Sequence, residues 1–160
     1  MTAAPGKLRF IFHGLLLATL LIAAPAIAEN QTTAVKASVQ TDVLVVNASG
    51  FKHDRGVAVA NLFREGEDIF RKPSIRVMAN ISNGKAVFAI PDLKYGTYAV
   101  TVFHDENGNG DLDHNMFHMP AEPLGFSNGF KMSLVSGLPS FEKLKFAFAP
   151  GGKPLDITVR

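Results

Sequence analysis

The sequence of 160 residues contains no cysteine and no tryptophan. Without cysteine, the protein cannot use a thiol nucleophile, a cysteine-ligated zinc ion or an iron–sulfur cluster, and it must be stable without disulfides. The roughly 130 residues that follow an apolar N-terminal segment are enough for one domain with its own hydrophobic core. The two absences also exclude the disulfide and tryptophan that pin the core of antibody domains, although not the sandwich architecture itself.

An excess of basic charge is also absent from most of the chain. The full sequence has 16 Lys and Arg residues against 14 Asp and Glu residues, and Lys7 and Arg9 supply the difference. From residue 29 onward the formal charge is therefore balanced, so we expect no basic surface for nucleic acid. The chain has no glycine-rich phosphate loop and no heptad repeat, and no apolar run after residue 28 is long enough to cross a membrane.

The N-terminal segment has the pattern of a signal peptide. Lys7 and Arg9 form a basic region, residues 10–24 are largely apolar, and Ala26 and Ala28 place small residues where a signal peptidase reads them. The apolar run is short for an uncleaved membrane anchor, and the absence of cysteine excludes a lipoprotein. We therefore expect a signal peptide over residues 1–28, cleaved after Ala28, and a periplasmic or secreted protein without a transmembrane segment after cleavage.

The remainder of the chain is predicted to be a short leader followed by one domain of strands. Residues 29–40 are small and polar without a period, which is typical of a flexible leader, and residues 41–160 form the domain. Alternating or β-branched runs recur between turn residues, with no alternation of strands and helices. The predicted strands are 43–47, 57–63, 75–81, 86–90, 95–104, 141–149 and 155–159.

This spacing predicts an all-β fold, an antiparallel immunoglobulin-like β-sandwich of about seven strands. A small closed barrel is the alternative that the same pattern allows. After the longest predicted strand, residues 116–128 contain Pro120, Pro123 and Gly125, which indicates an ordered but irregular excursion.

The loop between that strand and the excursion has the spacing of an EF-hand-like calcium loop. Oxygen-bearing side chains fall at positions one, three, five and nine, a backbone carbonyl falls at seven, and Gly110 stands at the sharp turn in position six. Position twelve, which normally carries a bidentate Glu, is Met116, so Glu122 or water would have to complete the coordination shell. The predicted ligands are Asp105, Asn107, Asn109, Asp111 and Asp113.

We expect these ligands to bind Ca2+ weakly, with a Kd of roughly 10⁻⁴ to 10⁻³ M, the range of extracellular modules. The alternative is an Asn/Asp/Gly turn whose side chains cap their own backbone. On either reading we expect a non-catalytic protein, and on the first reading calcium has a structural role.

Three histidines, His104, His114 and His118, flank the same loop, and imidazoles with a carboxylate suit zinc, copper or nickel. Their spacing is too loose to define a site, since His114 and His118 share a face only on a helix. We therefore favour surface or hydrogen-bonding histidines over a transition-metal site or a metal-dependent enzyme. His53 lies in a polar turn and carries no functional hypothesis.

A hydrolase would need a nucleophile, and Ser127 or Ser133 could be combined with His104 and Asp105. Ser127 does not lie in a nucleophile elbow, and consecutive residues of a strand point to opposite faces, which separates the His from the Asp. We therefore expect no catalytic residues.

Residues 116–130 form the alternative functional region. Phe117, Phe126 and Phe130 could line a surface for an envelope ligand or a protein partner. The competing explanation is that these rings fold the excursion back onto the sandwich, as buried phenylalanines usually do.

Three motifs occur together in a fixed order. Residues 96–100 read Gly-Thr-Tyr-Ala-Val, residues 104–113 read His-Asp-Glu-Asn-Gly-Asn-Gly-Asp-Leu-Asp, and residues 125–128 read Gly-Phe-Ser-Asn. In this combination the chain resembles a bacterial exported family catalogued as domain of unknown function 2141, from about residue 43 to the C-terminus. The resemblance implies an exported β-sandwich and no particular activity. The first motif is also similar to a strand of transthyretin-like and carboxypeptidase regulatory-like domains, which implies the same architecture.

Overall fold

A computed structural model describes residues 40–117 and 119–160 of the chain. The predicted signal peptide, the predicted leader up to residue 39 and His118 lie outside the described residues. Within the described ranges, no helix is long and apolar enough to cross a membrane.

The described residues form an all-β sandwich of two sheets, which confirms the predicted fold class. A three-stranded sheet has the order β4-β1-β8, and a larger sheet has the order β3-β2-β5-β6, with β7 paired to the beginning of β5. All pairings are antiparallel except that of β1 with β8, which is parallel. The elements are β1 (Thr41–Ser49), β2 (Val57–Arg64), β3 (Ile75–Ala79), β4 (Lys85–Lys94), β5 (Gly96–Asp105), β6 (Leu124–Phe126), a 3-10 turn (Ser127–Gly129), α1 (Phe141–Leu144), β7 (Phe146–Phe148) and β8 (Leu155–Thr158).

The core lies between the two sheets and follows from the period-two pattern of the strands. In β4, for example, Ala86, Phe88 and Ile90 are buried while the residues between them are exposed. The inner face of the larger sheet is supplied by alternate residues of β2 and β5, including Leu62 and Val102.

The strands β2 and β5 are buried on both faces, unlike β4. Their outward residues Phe63 and Ala99 form a second apolar cluster with Phe126 and Leu144, which come from β6 and α1. The segment after residue 116 therefore folds back over the outer face of the larger sheet, and the boundary between the two is where a cleft opens.

The predicted strand over residues 141–149 is only partly correct. Phe141–Leu144 forms a single helical turn, and the strand is confined to Phe146–Phe148. Phe141 and Leu144 are three residues apart, which is a helical spacing, and both pack into the outer apolar cluster. The irregular excursion also ends in order, since residues 124–126 pair with β5.

Candidate functional site

The end of β5 carries two consecutive polar residues, His104 and Asp105, that are both inaccessible to solvent. Because side chains alternate along a strand, His104 continues the inward row of Val100 and Val102. Asp105 points to the other face, into the loop over residues 105–113. The two faces of the strand therefore deliver their polar groups to two separate places.

The Asp105 carboxylate is surrounded by backbone N–H groups of the 105–113 loop. One oxygen accepts hydrogen bonds from Gly108 at 2.7 Å and Asn109 at 3.2 Å, and the other accepts one from Gly110 at 2.8 Å. Gly108 and Gly110 have positive φ angles of 74° and 83°, which allows the chain to curl around the carboxylate. Asp105 therefore shapes the loop from within.

The other predicted calcium ligands lie on the rim of the loop. The side-chain amides of Asn107 and Asn109 donate to the two oxygens of the Asp113 carboxylate, at 2.7 and 3.1 Å. The amide oxygens of the same two residues accept N–H groups two residues further on, at 2.9 and 2.8 Å. Asp111 is exposed, and its carboxylate lies 3.4 Å from a terminal nitrogen of Arg76. The structure thus brings Asn107, Asn109 and Asp113 together, with Asp105 satisfied by backbone.

Two residues outside the loop hold it in place. Glu122 is buried and accepts the N–H groups of Glu106 at 3.0 Å and Asp113 at 3.2 Å, which closes the base of the loop. Arg76 on β3 donates to the carbonyl of Gly110 at 2.6 Å and to Asn61 at 2.9 Å. Glu122 is thereby engaged with the backbone, rather than standing free as a replacement for the missing twelfth ligand.

A cleft of about 490 Å³ opens between the loop and the outer face of the larger sheet. Its floor is a row of residues paired across four strands: Arg76 of β3 with Asn61 of β2, Asn61 with Thr101 of β5, and Thr101 with Phe126 of β6. Asn61 and Thr101 are buried polar residues on the floor of this cleft. The walls are supplied by Ile69, Phe70, Arg71, Phe103, Asp111, Leu112, His114, Met119, Pro120, Leu124, Met132, Leu138 and Pro139.

The phenylalanines predicted for this region have different positions. Phe126 is buried and lines the cleft, and Phe130 packs edge-on against it with a centroid distance of 5.5 Å. Phe117 is 76% exposed and does not line the cleft. The ligand hypothesis for residues 116–130 therefore rests on Phe126 and the floor of the cleft. Nothing in the sequence indicated that Phe126 lies beside the strand residues of that floor.

On the inner side of β5, the described residues contain one group of three potential metal ligands, His53, His104 and Glu106. One ligand atom from each lies within 4.8 Å of the other two. The sequence analysis missed His53 and Glu106, and His114, which it grouped with His104, is exposed and lines the cleft instead. Because His118 lies outside the described residues, the predicted grouping of three histidines is not tested as a whole.

The connection between β1 and β2, residues 50–56, positions His53. The Asp54 carboxylate accepts the N–H groups of Gly84 at 2.9 Å and Asn83 at 2.8 Å, and these bonds hold the pKa of Asp54 below its ordinary value of 3.8. At the other end, a Cβ on Gly56 would lie 2.2 Å from the carbonyl oxygen of Asp105. The connection is thus fixed to the β3–β4 hairpin and to β5.

Ser127 has a structural role rather than the arrangement of a nucleophile. Its hydroxyl is buried, donates to the carbonyl of Leu144 at 2.6 Å and accepts the N–H of Val100 at 2.9 Å. These bonds tie the excursion and α1 to β5, on the face opposite to the His104 side chain.

Comparison with known proteins gives one family. Residues 46–156 match the model of a family described as uncharacterized protein conserved in bacteria (DUF2141). No curated protein and no solved structure matches the chain.

Proposed function

This chain belongs to the bacterial family DUF2141, and we propose that it is an exported, non-catalytic protein that binds a small ligand in the cleft. The observation that carries the proposal is the floor of the cleft, where Arg76, Asn61 and Thr101 form a polar row on the outer face of the larger sheet. Polar side chains on a covered sheet face cost stability unless they are paired, and a few convergent polar groups in an apolar pocket are typical of ligand sites.

The chemistry of the cleft favours a ligand with an anionic group and an apolar part. The Arg76 guanidinium uses its Nε for Asn61 and one terminal nitrogen for Gly110, and that terminal nitrogen also lies 3.4 Å from the exposed Asp111 carboxylate. Its other terminal nitrogen has no hydrogen-bond partner among the described residues. An Arg fork suits a carboxylate or phosphate group. Around it, the rings of Phe103 and Phe126 and the side chain of Leu124 supply apolar contacts.

The 105–113 loop forms one side of the cleft, and calcium in this loop would stiffen that side. Asp111 and Leu112 line the cleft, while Asn107, Asn109 and Asp113 gather on the rim. Each oxygen of the Asp113 carboxylate accepts one amide N–H and keeps a free lone pair, so this carboxylate retains capacity for a cation. The role proposed for Ca2+ is therefore structural.

The ligand proposal is tested with dodecyl phosphate as the probe and dodecyl maltoside as the uncharged comparison. We expect saturable binding of the phosphate by isothermal titration, at least tenfold tighter than that of the maltoside. Arg76→Met should remove this preference, whereas Arg64→Met, on β2 outside the cleft, should keep it. Equal binding of both probes, or binding unaffected by Arg76→Met, would contradict an anion-recognising cleft.

The calcium proposal is tested by thermal unfolding in the presence of Ca2+ or a chelator. At roughly ten times the Kd, a bound ion stabilises the folded state by about 1.4 kcal/mol, which should raise the melting temperature by several degrees. Asp113→Asn should abolish the rise, and Asp156→Asn, on β8, should retain it. No shift at 10 mM Ca2+ would leave the loop as a turn that caps its own backbone.

Export is tested by fractionating cells that express the full chain. We expect a protein in the periplasmic or extracellular fraction whose N-terminus is Glu29, whereas an intact N-terminus in the cytosol would contradict export.

A further inference from the structure

We propose that His53, His104 and Glu106 form a binding site for a divalent transition-metal ion, Zn2+ or Cu2+, at the end of β5. This site is independent of the cleft and of the proposed calcium ligands. The cluster lies on the inner side of β5, whereas the cleft lies on the outer side.

The protonation of the two nitrogens of the His104 ring favours metal binding. Its Nε2 lies 2.7 Å from the carbonyl oxygen of Arg55. A carbonyl can only accept, so Nε2 carries the proton, and the neutral ring then presents a lone pair at Nδ1. A hydrogen bond from the far nitrogen to a backbone carbonyl is how proteins orient histidines that ligate metals.

The lone pair on Nδ1 of His104 has no hydrogen-bond partner within the described part of the chain. His104 is 0% exposed, and its Nδ1 makes no hydrogen bond to any described residue. The His53 ring is partly exposed, and the nitrogen that it turns toward Glu106 is Nε2. A buried polar atom without a partner is uncommon and calls for a specific explanation, such as an ion that the site receives.

The distances from the Glu106 carboxylate to the two imidazoles also suit an ion. Oε1 of Glu106 lies 3.5 Å from Nε2 of His53 and 3.8 Å from Nδ1 of His104. These separations are too long for hydrogen bonds, but an ion about 2.0–2.2 Å from each ligand would fit between them with small side-chain movements. The two imidazole rings already lie with their centroids 4.7 Å apart.

The backbone around the cluster is also fixed. Asp54 and Gly56 hold the 50–56 connection on either side of His53, through the hairpin bonds and the close approach to Asp105. Phe51 packs edge-on against the His104 ring with a centroid distance of 5.3 Å. Ligands held by rigid elements require little ordering when an ion binds.

The donor set selects the class of ion. Two imidazole nitrogens and one carboxylate suit zinc and copper, while calcium and magnesium prefer oxygen ligands. Three protein ligands leave a coordination position for water or another small ligand, and the side chains of His53 and Glu106 are 31% and 45% exposed, so solvent reaches the cluster. The ion is therefore accessible for exchange rather than sealed into the core.

The test is isothermal titration of the purified protein, stripped with a chelator, with Zn2+ and separately with Cu2+. We expect one ion per chain, with Cu2+ binding more tightly than Zn2+ according to the usual affinity order. His53→Gln and Glu106→Gln should each weaken binding at least tenfold, and both leave the buried His104 in place. The matched controls His114→Gln and Glu65→Gln, both exposed and outside the cluster, should change the Kd less than twofold.

The proposal is overturned if neither ion binds saturably to the folded protein. It is also overturned if an ion binds but neither cluster variant weakens it, since the ion would then lie on other groups. If 5 mM Ca2+ displaces the ion, the oxygen-rich loop and not the imidazole cluster is the site. A circular dichroism spectrum of each variant distinguishes loss of the site from loss of the fold.

Discussion

His104 and Asp105 follow one another on β5 and are equally inaccessible to solvent, but they differ in how their polar atoms are satisfied. Asp105 accepts three backbone N–H groups from its own loop, whereas Nδ1 of His104 has no partner among the described residues. A buried group with a full set of partners is explained by the fold that supplies them. A buried group without a hydrogen-bond partner calls for a separate explanation, which the proposed ion supplies.

The same contrast separates the two sides of the strand. The 105–113 loop is closed by its own hydrogen bonds, with Glu122 at its base and Arg76 at its side. In the cluster of His53, His104 and Glu106, the imidazole nitrogens and the carboxylate oxygen lie near each other but form no hydrogen bonds with one another. Removing loop contacts should therefore cost stability, while removing cluster side chains should mainly cost metal binding.

The largest effect is expected where the two sides meet, at Gly56. This residue has a φ of 78°, and a Cβ would lie 2.2 Å from the Asp105 carbonyl, so Gly56→Ala should destabilise the fold by about 3–4 kcal/mol. Gly66 has a similar φ of 85° with open space around it, so Gly66→Ala should cost only about 1–2 kcal/mol. Urea unfolding measures the free energy of unfolding of both variants. Equal losses of stability would show that the positive φ angle, and not the contact with the Asp105 carbonyl, causes the destabilisation.

The next largest effect is expected at Asp105. Asp105→Ala leaves the N–H groups of Gly108 and Gly110 without an acceptor, while that of Asn109 keeps the Asn107 side-chain oxygen, and should lower the free energy of unfolding by about 2–4 kcal/mol. Asp105→Asn keeps one carbonyl acceptor and should lose less. Asp111→Ala removes only an exposed ion pair with Arg76, so it is the control and should stay within about 0.5 kcal/mol of the parent protein. An Asp105→Ala variant as stable as this control would contradict a loop organised by that carboxylate.

A smaller effect is expected at Arg76, which connects the loop to the sheet. Arg76→Met removes the hydrogen bonds to Gly110 and Asn61 while keeping an apolar stem, so we expect a loss of about 1 kcal/mol. Thermal unfolding measures this loss. Arg71→Met, whose side chain is 82% exposed, should leave the melting temperature unchanged. A loss no larger than that of Arg71→Met would show that the connection does not stabilise the loop.

The smallest effect is expected at Asp54, as a pH dependence. Its folded-state pKa is lowered by the N–H groups of Gly84 and Asn83, so its contribution is present above the ordinary value of 3.8. That contribution is lost as the pH falls from there through the lowered pKa. Asp54→Asn should therefore be less stable than the parent at pH 7 and more nearly equal to it at pH 3. A difference that is constant over this range would contradict the assignment.

The strands could be predicted from the sequence because alternating apolar residues record which side chains face the core. The runs around Leu44, Leu62 and Phe88 illustrate this, and each lies within an observed strand. The segment 141–149 was less predictable, because its apolar residues fit a helical spacing at the start and a strand spacing at the end. The parallel pairing of β1 with β8 could not be inferred, since these strands are far apart in the sequence.

The site was predictable only where it is local. Consecutive Asn, Asp and Gly residues in the sequence indicate the turns of the 105–113 loop, and the structure places these residues in one loop. The contact of His53 with His104 joins residues that are 51 positions apart, and no short motif records it. The alternation of side chains along β5 could have predicted part of this contact, since it places His104 on the same inward face as Val100 and Val102.

The most direct test of the contrast between the two sides of β5 is an anomalous-difference map from a crystal of the protein soaked in Zn2+. The account predicts a peak about 2.0–2.2 Å from Nδ1 of His104, Nε2 of His53 and a carboxylate oxygen of Glu106. It also predicts no zinc peak at the Asp105 carboxylate, whose partners are complete. Density at Asp105 and none at His104 would contradict it.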